Sequence, residues 1–511
     1  MKRWISLLLL LLLGACARPA VAPTLVPTSA PTPTPAPTPT PTPTPAPALP
    51  APALFDTAWE DRSPFAAGLI AAEQVALAAR PGATIYHIDL TLADSLTRLQ
   101  ARQEALITNN AETPLTELHF RLFPNLSGGR VQISDPTING RSVIPRLALA
   151  ESELILPLSP PLAPGAQVVA AMDFTVDIPT TPGGNYGVFA LLDQILALAH
   201  FYPMLAVFDD TGWHTEIAPD WGDVVFAESS YYLVRVNTPA DQVLAASGVR
   251  VAETAAAGRQ IVTFAAGPVR DFYLVSSARY EKVSRTLGET TINAYAPPEY
   301  AAENALALDY AAASFRSYSD RVGAYPFTEL DVVGTPTLAG GVEYPGIVVV
   351  ALAIYHARMS FFEHATAHEV AHQWFYSIVG NDQVDEPWLD EALTQYATLL
   401  YYGDAYGRAG YEAFRDALQR RWDQADDPAM PIGLPVAAYK GADYGAIVYG
   451  RGPLFFEALA TAMADASLTD FLPVYYQAFK YGVVTTAAFQ AFAEAQCACD
   501  LSSLFAAWVF P

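Results

Sequence analysis

The 511-residue sequence is short of positive charge, short of cysteine and free of internal repeats. Lys and Arg number 28 against 52 Asp and Glu, a formal net charge of −24. That balance argues against nucleic acid as a partner and against a polybasic grip on anionic lipid. The three cysteines, at 16, 497 and 499, leave little room for disulfides. One residue separates Cys497 from Cys499, so a bond between them is expected to be strained, and the pair reads as structural or incidental. The apolar stretch from Ile5 to Leu13 is too short to span a bilayer as a stable helix.

That stretch has a different meaning in context. Lys2 and Arg3 precede it, and Leu13-Gly14-Ala15-Cys16 closes it, the pattern of a cleaved leader whose Cys is acylated. Residues 1–15 are therefore expected to be a lipoprotein signal peptide. From Cys16 to residue 54 the chain is dominated by Pro, Thr and Ala, and between Pro31 and Pro47 every second residue is Pro. Such a segment buries no core and runs as an extended polyproline spacer. The expectation is an extracytoplasmic, membrane-tethered protein.

Length alone calls for more than one domain. Residues from about Ile85 to Tyr280 alternate apolar with polar in short runs, such as Tyr86 to Leu92, Leu118 to Leu122 and Tyr231 to Asn237. Turn clusters such as Pro182-Gly183-Gly184 punctuate them, so antiparallel sheets are expected. After about Pro297 the periodicity becomes helical: Ala301 to Tyr318 is Ala-rich, and most of 360–510 follows suit. The expected division is a β-rich domain over 55–290 and a mainly helical one over 291–511, an α+β multidomain chain.

The chemistry is concentrated in His368-Glu369-Val370-Ala371-His372, with Glu391 after eighteen intervening residues. Histidines at i and i+4 share one helix face and can grip one metal ion. The later carboxylate supplies a third protein ligand and leaves a fourth position for water, as in catalytic zinc sites. Glu369, beside the first histidine, is placed to take a proton from that water. The first site helix is expected to run from Ser360 to Val379 and end at Gly380 in a left-handed position. Pro387 suits the first turn of a second helix carrying Glu391. His364 is also four residues from His368, but only His368 begins the His-Glu-x-x-His run, so His364 is left out of the site.

These residues resemble the M1 family of zinc metallopeptidases, the gluzincin aminopeptidases. The eighteen-residue spacing is that family's, whereas thermolysin-like endopeptidases use one residue more. Gly340-Gly341-Val342-Glu343-Tyr344 resembles its Gly-x-Met-Glu-Asn motif, and Val448-Tyr449-Gly450-Arg451-Gly452 the segment with its catalytic Tyr. Gly323-Ala324-Tyr325-Pro326-Phe327 and Phe201-Tyr202-Pro203 look like further signposts. The resemblance covers about 85 to 511. It implies a saddle-like β-rich domain, then a thermolysin-like catalytic domain holding one Zn²⁺ through His368, His372 and Glu391. It also implies a base at Glu369, an oxyanion donor at Tyr449 and an anchor for the substrate ammonium at Glu343. Gly340 and Gly341 would let that strand approach the substrate, and Gln194 is a second candidate for the ammonium. The substrates implied are peptides with a free N-terminus; the alternatives are an endopeptidase with an open cleft or an inactive binding module. Three departures stand out. Val342 and Tyr344 replace the family's Met and Asn, and Thr398 stands where many members have a Glu bonded to a zinc histidine. The β-sandwich and large helical domain of full-length members are also expected to be missing.

Overall fold

The computed structural model describes residues 54–511 apart from 220, 356–359 and 464–467, all within one compact unit, Ala48–Pro511. The leader, Cys16 and the proline-rich spacer lie outside the described residues.

Alternating runs in the first half form the sheets expected of them. Ile85–Leu92 lies near the middle of an eight-stranded sheet, antiparallel to Arg98–Thr108. Its other neighbour, Ser230–Pro239, runs parallel to it, so the sheet is mixed rather than purely antiparallel. Period-two patterning records which face is buried and carries no information on strand direction. Two four-stranded sheets and a small hairpin complete this β-rich part.

A five-stranded sheet follows, with Glu281–Leu287 at one edge and Gly341–Tyr344 at the other. Thr290–Ala296 and Glu329–Thr335 pair in parallel within it, joined through the helix Ala301–Arg321. Glu281–Leu287 and Thr290–Ala296 pair with each other, so a division at 290/291 falls inside one sheet. Sheet membership changes near Tyr280 instead. The helices that follow include Ser360–Ala371, Trp388–Trp422 and Gly452–Ala462.

The first site helix ends earlier than its apolar pattern suggests, at Ala371 rather than Val379. Tyr376 takes a left-handed backbone (φ 94°), and the segment beyond it is held from outside the helix. Arg270, only 1% exposed, donates from Nε to the Tyr376 carbonyl (2.6 Å), from Nη1 to that of Ala227 (2.8 Å) and from Nη2 to that of Ile378 (3.3 Å). Its Nη2 also reaches the Gly482 carbonyl. Burial pulls the guanidinium down to about 10, which leaves it charged at neutral pH. Gly380 is accordingly not a left-handed cap: a Cβ there would come within 1.9 Å of the Arg270 guanidinium carbon.

The signposts are structural. The Trp374 indole donates to the Gly323 carbonyl (2.8 Å), pinning the end of the site helix, and Tyr202 is buried in a cluster with Tyr86 and Tyr232. Cys497 and Cys499 are joined as a disulfide.

Replacing Arg270 with Met would strand those carbonyls without donors, at ~1–3 kcal/mol each. The expected loss in unfolding free energy is at least ~3 kcal/mol, read from urea titrations of both proteins. A difference within experimental error would contradict this role.

Candidate active site

Helix Ser360–Ala371 delivers His368, and His372 follows in its final hydrogen-bonded turn, where its N–H donates to the His368 carbonyl (3.3 Å). Glu391 enters from the first turn of Trp388–Trp422, which begins just after Pro387. The two Nε2 atoms lie 3.1 Å apart, and Glu391 Oε2 lies 3.1 Å from His368 Nε2 and 3.4 Å from His372 Nε2. Ligands bound tetrahedrally at ~2.0–2.1 Å from zinc are ~3.3 Å from one another. The three atoms therefore already sit close to the edges of a zinc tetrahedron.

The electrostatics suit the same ion. Burial pulls His368 down to about 4, which leaves it neutral with a free lone pair. His372 Nδ1 lies 3.1 Å from the Phe375 carbonyl, to which its N–H donates, and 3.2 Å from Thr394 Oγ1. That fixes the tautomer and leaves Nε2 for the ion. Burial works against a charged His372, but Glu343 and Glu391 override it and push the group up. A second group, Glu343, Glu369 and His372, also brings its donor atoms within 4.8 Å of one another. It competes for the same histidine, and Glu343 Oε1 already accepts from Gln383 Nε2 (2.6 Å). The first group is the better cation site.

Glu369 is raised well above the usual carboxylate range, by burial first and by Glu343 and Glu391 next, with His372 opposing them. The edge strand Gly341–Tyr344 packs directly on it: a Cβ on Gly341 would sit 2.3 Å from Glu369 Oε1. Gly340 faces the Phe361 ring, which its Cβ would meet at 3.0 Å. Glu343, buried on that strand and raised by burial, is held by Gln383, whose amide also donates to Asp390 Oδ2 (2.8 Å). Tyr449 lies in the π-helical turn Ile447–Arg451, a widened turn of the kind that re-aims a side chain, and its hydroxyl donates to Glu391 Oε1. His368, Glu369, His372, Glu391, Glu343 and Tyr449 line one cleft of about 370 Å³.

The structure thus brings together His368, His372, Glu391, Glu369, Glu343, Gly340, Gly341 and Tyr449. Gln194 does not join them. It is exposed at the tip of the hairpin joining Phe189–Leu192 to Ile195–Leu198, with φ 64°, and is not among the residues lining the cleft. The β-rich part contributes Tyr186, Gly222 and Asp223 instead. His364 lines the cleft after all, its Nε2 3.1 Å from Gln395 Oε1. Thr398 does not stand in for a histidine-bound Glu: its hydroxyl donates to the Thr394 carbonyl (2.9 Å), Asp390 is engaged by Asn381 and Gln383, and His368 Nδ1 is buried without a hydrogen-bond partner. Of the residues missed, Tyr186 follows a Gly-Gly pair readable only as a turn. Asp223 and Arg421 carry no motif at all.

A His/His/Glu cation site with an adjacent buried Glu, on two helices beside a sheet edge, is the arrangement that metal-assisted hydrolysis requires. Residues 306–508 match the Peptidase family M1 domain. Aminopeptidase B of Rattus norvegicus is 28% identical over 170 residues, 31% of this chain and 26% of that protein. Probable aminopeptidase 2 of Sulfurisphaera tokodaii is 24% identical over 251 residues, 44% of this chain and 31% of that one. The chain thus aligns with between a quarter and a third of the length of these relatives. The M1 zinc metallopeptidase of Deinococcus radiodurans shares the fold, with a TM-score of 0.64 and 21% identity over 84% of this chain and 93% of that one. A mutant of it has been solved with a Tyr-Ser-Ala substrate (TM-score 0.62, 21% identity, 84% and 93% covered). The likeness to peptidase family M1 thus lies over residues 306–508.

Gly341→Ala is expected to push the Glu369 carboxylate aside by ~1 Å, enough to cost roughly 100-fold in hydrolytic rate. The zinc content of the variant, measured by mass spectrometry, should stay at the wild-type level. Full activity in the variant would show that strand and carboxylate are not in contact.

Proposed function

We propose that this protein is a zinc-dependent aminopeptidase that removes the N-terminal residue of peptides, tethered outside the cytoplasm through Cys16. The observation that carries the activity is the position of Glu343. Its carboxylate lies in the same cluster as Glu369 and His372, with donor atoms of all three within 4.8 Å. A substrate ammonium paired with Glu343 therefore places its first peptide bond beside the cation site and no later bond. The Tyr-Ser-Ala peptide bound by the Deinococcus relative is a ligand of this class and supports the reading.

Zinc held by His368, His372 and Glu391 would supply Lewis-acid polarisation of a water and of the scissile carbonyl. The chain's own groups do the rest. Glu369, whose surroundings favour a bound proton, accepts one from the water and passes it to the departing amine nitrogen. Tyr449, likewise kept protonated by burial and by Glu391, offers its O–H to the oxygen that gains charge at the attacked carbon. Gln383 holds Glu343 in place, so the ammonium is captured at a fixed point.

The tether rests on Lys2, Arg3, the apolar stretch and the Leu-Gly-Ala-Cys ending of the leader. Among the described residues no helix is long and apolar enough to cross a membrane. Acidity of the whole chain and the acidic cleft speak against nucleic acid as a partner.

Two experiments test these assignments. Free aminoacyl-coumarylamides should be hydrolysed and their N-acetylated twins should not, with Glu369→Gln lowering kcat ~10²–10⁴-fold. Equal cleavage of blocked substrates would make the chain an endopeptidase. In a bacterial host, Cys16→Ser should abolish labelling by radiolabelled palmitate and shift the protein from the membrane to the soluble fraction. Unchanged labelling would place the lipid elsewhere.

A further inference from the structure

The helical run Trp388–Trp422 is not one straight rod. At Gly407 the backbone leaves the helix (φ 67°, ψ −162°) and the chain doubles back, with Phe414 stacked on Tyr402 at 4.5 Å between ring centroids. The turn returns Arg421 to the same cleft as Glu391, thirty positions earlier in the sequence. There the guanidinium carbon lies 4.6 Å from the centroid of the Tyr449 ring. Gly445 leaves it uncovered, since a Cβ at that position would come within 3.3 Å of Nη2. Among the described residues no carboxylate pairs with Arg421 and no oxygen accepts from it. Burial lowers its proton affinity, which nearby Tyr449 and Glu391 partly restore, and it stays a cation.

The cleft is consequently polarised along the site helix. Glu343 acts on His372 and Glu369, whereas Arg421 acts on His364 and His368. From His364 to His372 the helix rises ~12 Å, which is the length of three to four extended residues. A free peptide of three or four residues carries an ammonium at one end and a carboxylate at the other, matching both the charges and the spacing. A planar guanidinium with two free edges is well suited to a carboxylate, which it binds through two parallel hydrogen bonds.

We propose that Arg421 binds the C-terminal carboxylate of short peptides, so that the site selects tri- and tetrapeptides with both termini free. This rests on the aminopeptidase reading, and the test separates the two. The zinc-loaded full chain would be assayed with Ala-Ala-Ala and Ala-Ala-Ala-Ala, with their C-terminal amides, and with alanyl-coumarylamide, which has no carboxylate. The free acids should have kcat/KM roughly 10- to 100-fold above the amides, mostly through KM. Arg421→Met should bring that acid-to-amide ratio close to one, and Arg421→Lys should leave an intermediate ratio. Calorimetry on the Glu369→Gln protein should show the same preference in binding, lost when Arg421→Met is added. Should Arg421→Met fail to fold, the wild-type ratio and the Lys variant still decide. Equal rates for acids and amides in the wild type, or a ratio unmoved by either substitution, would overturn the proposal. Failure to cleave alanyl-coumarylamide would instead remove the aminopeptidase reading beneath it.

Discussion

The constraint that organises this structure is the crowding of buried carboxylates around two buried imidazoles. Asp223, Glu343, Glu369, Asp390 and Glu391 are each within electrostatic reach of one another or of His372. Burying that much negative charge is costly unless it is neutralised, hydrogen-bonded or offset by a cation. Glu391 is held well below the usual carboxylate range by His372 and His368 despite its burial, whereas Asp390 is pushed up to about 7. A divalent ion between His368, His372 and Glu391 would answer the remaining imbalance, and the ligand atoms are already spaced for one.

Holding the ligands at that spacing is the task of elements with no chemistry of their own. Arg270 stops the site helix at Ala371 and ties its exit turns to the Ala227 and Gly482 carbonyls. Gln383 and Asn381, in the segment between the two site helices, share Asp390 and so lock the entry to the second helix onto Glu343. Glu343 and Asp390, the neighbour of Glu391, are thus coupled through one amide side chain. Gly341 lets the edge strand close on Glu369, which a side chain would forbid.

Much of this was legible in the sequence, for identifiable reasons. Metal ligation by a helix demands i, i+4 histidines, and a half-buried strand demands alternation, so His368, His372 and the strand Ile85–Leu92 announced themselves. Glu343 and Tyr449 were legible only through resemblance, because a lone Glu or Tyr has no spacing of its own. Other features depend on contacts between distant segments. The early end of the site helix follows from Arg270, a hundred residues away, and the parallel pairing of Ile85–Leu92 with Ser230–Pro239 from the path of the intervening chain. Gln194 was suggested by resemblance alone, and at the tip of its hairpin it is exposed and not among the residues that line the cleft. Arg421 reaches the cleft only because the helix breaks at Gly407, and a single Gly does not reveal a reversal.

The most direct test of the account is where the metal sits. Crystals of the zinc-loaded protein, with anomalous data collected on both sides of the zinc absorption edge, would locate it without reference to activity. One peak per chain, bonded to His368 Nε2, His372 Nε2 and the Glu391 carboxylate, is the predicted result, with Glu369 near but unligated. A peak among Glu343, Glu369 and His372 would contradict it, because it would remove both the ammonium anchor and the base at once.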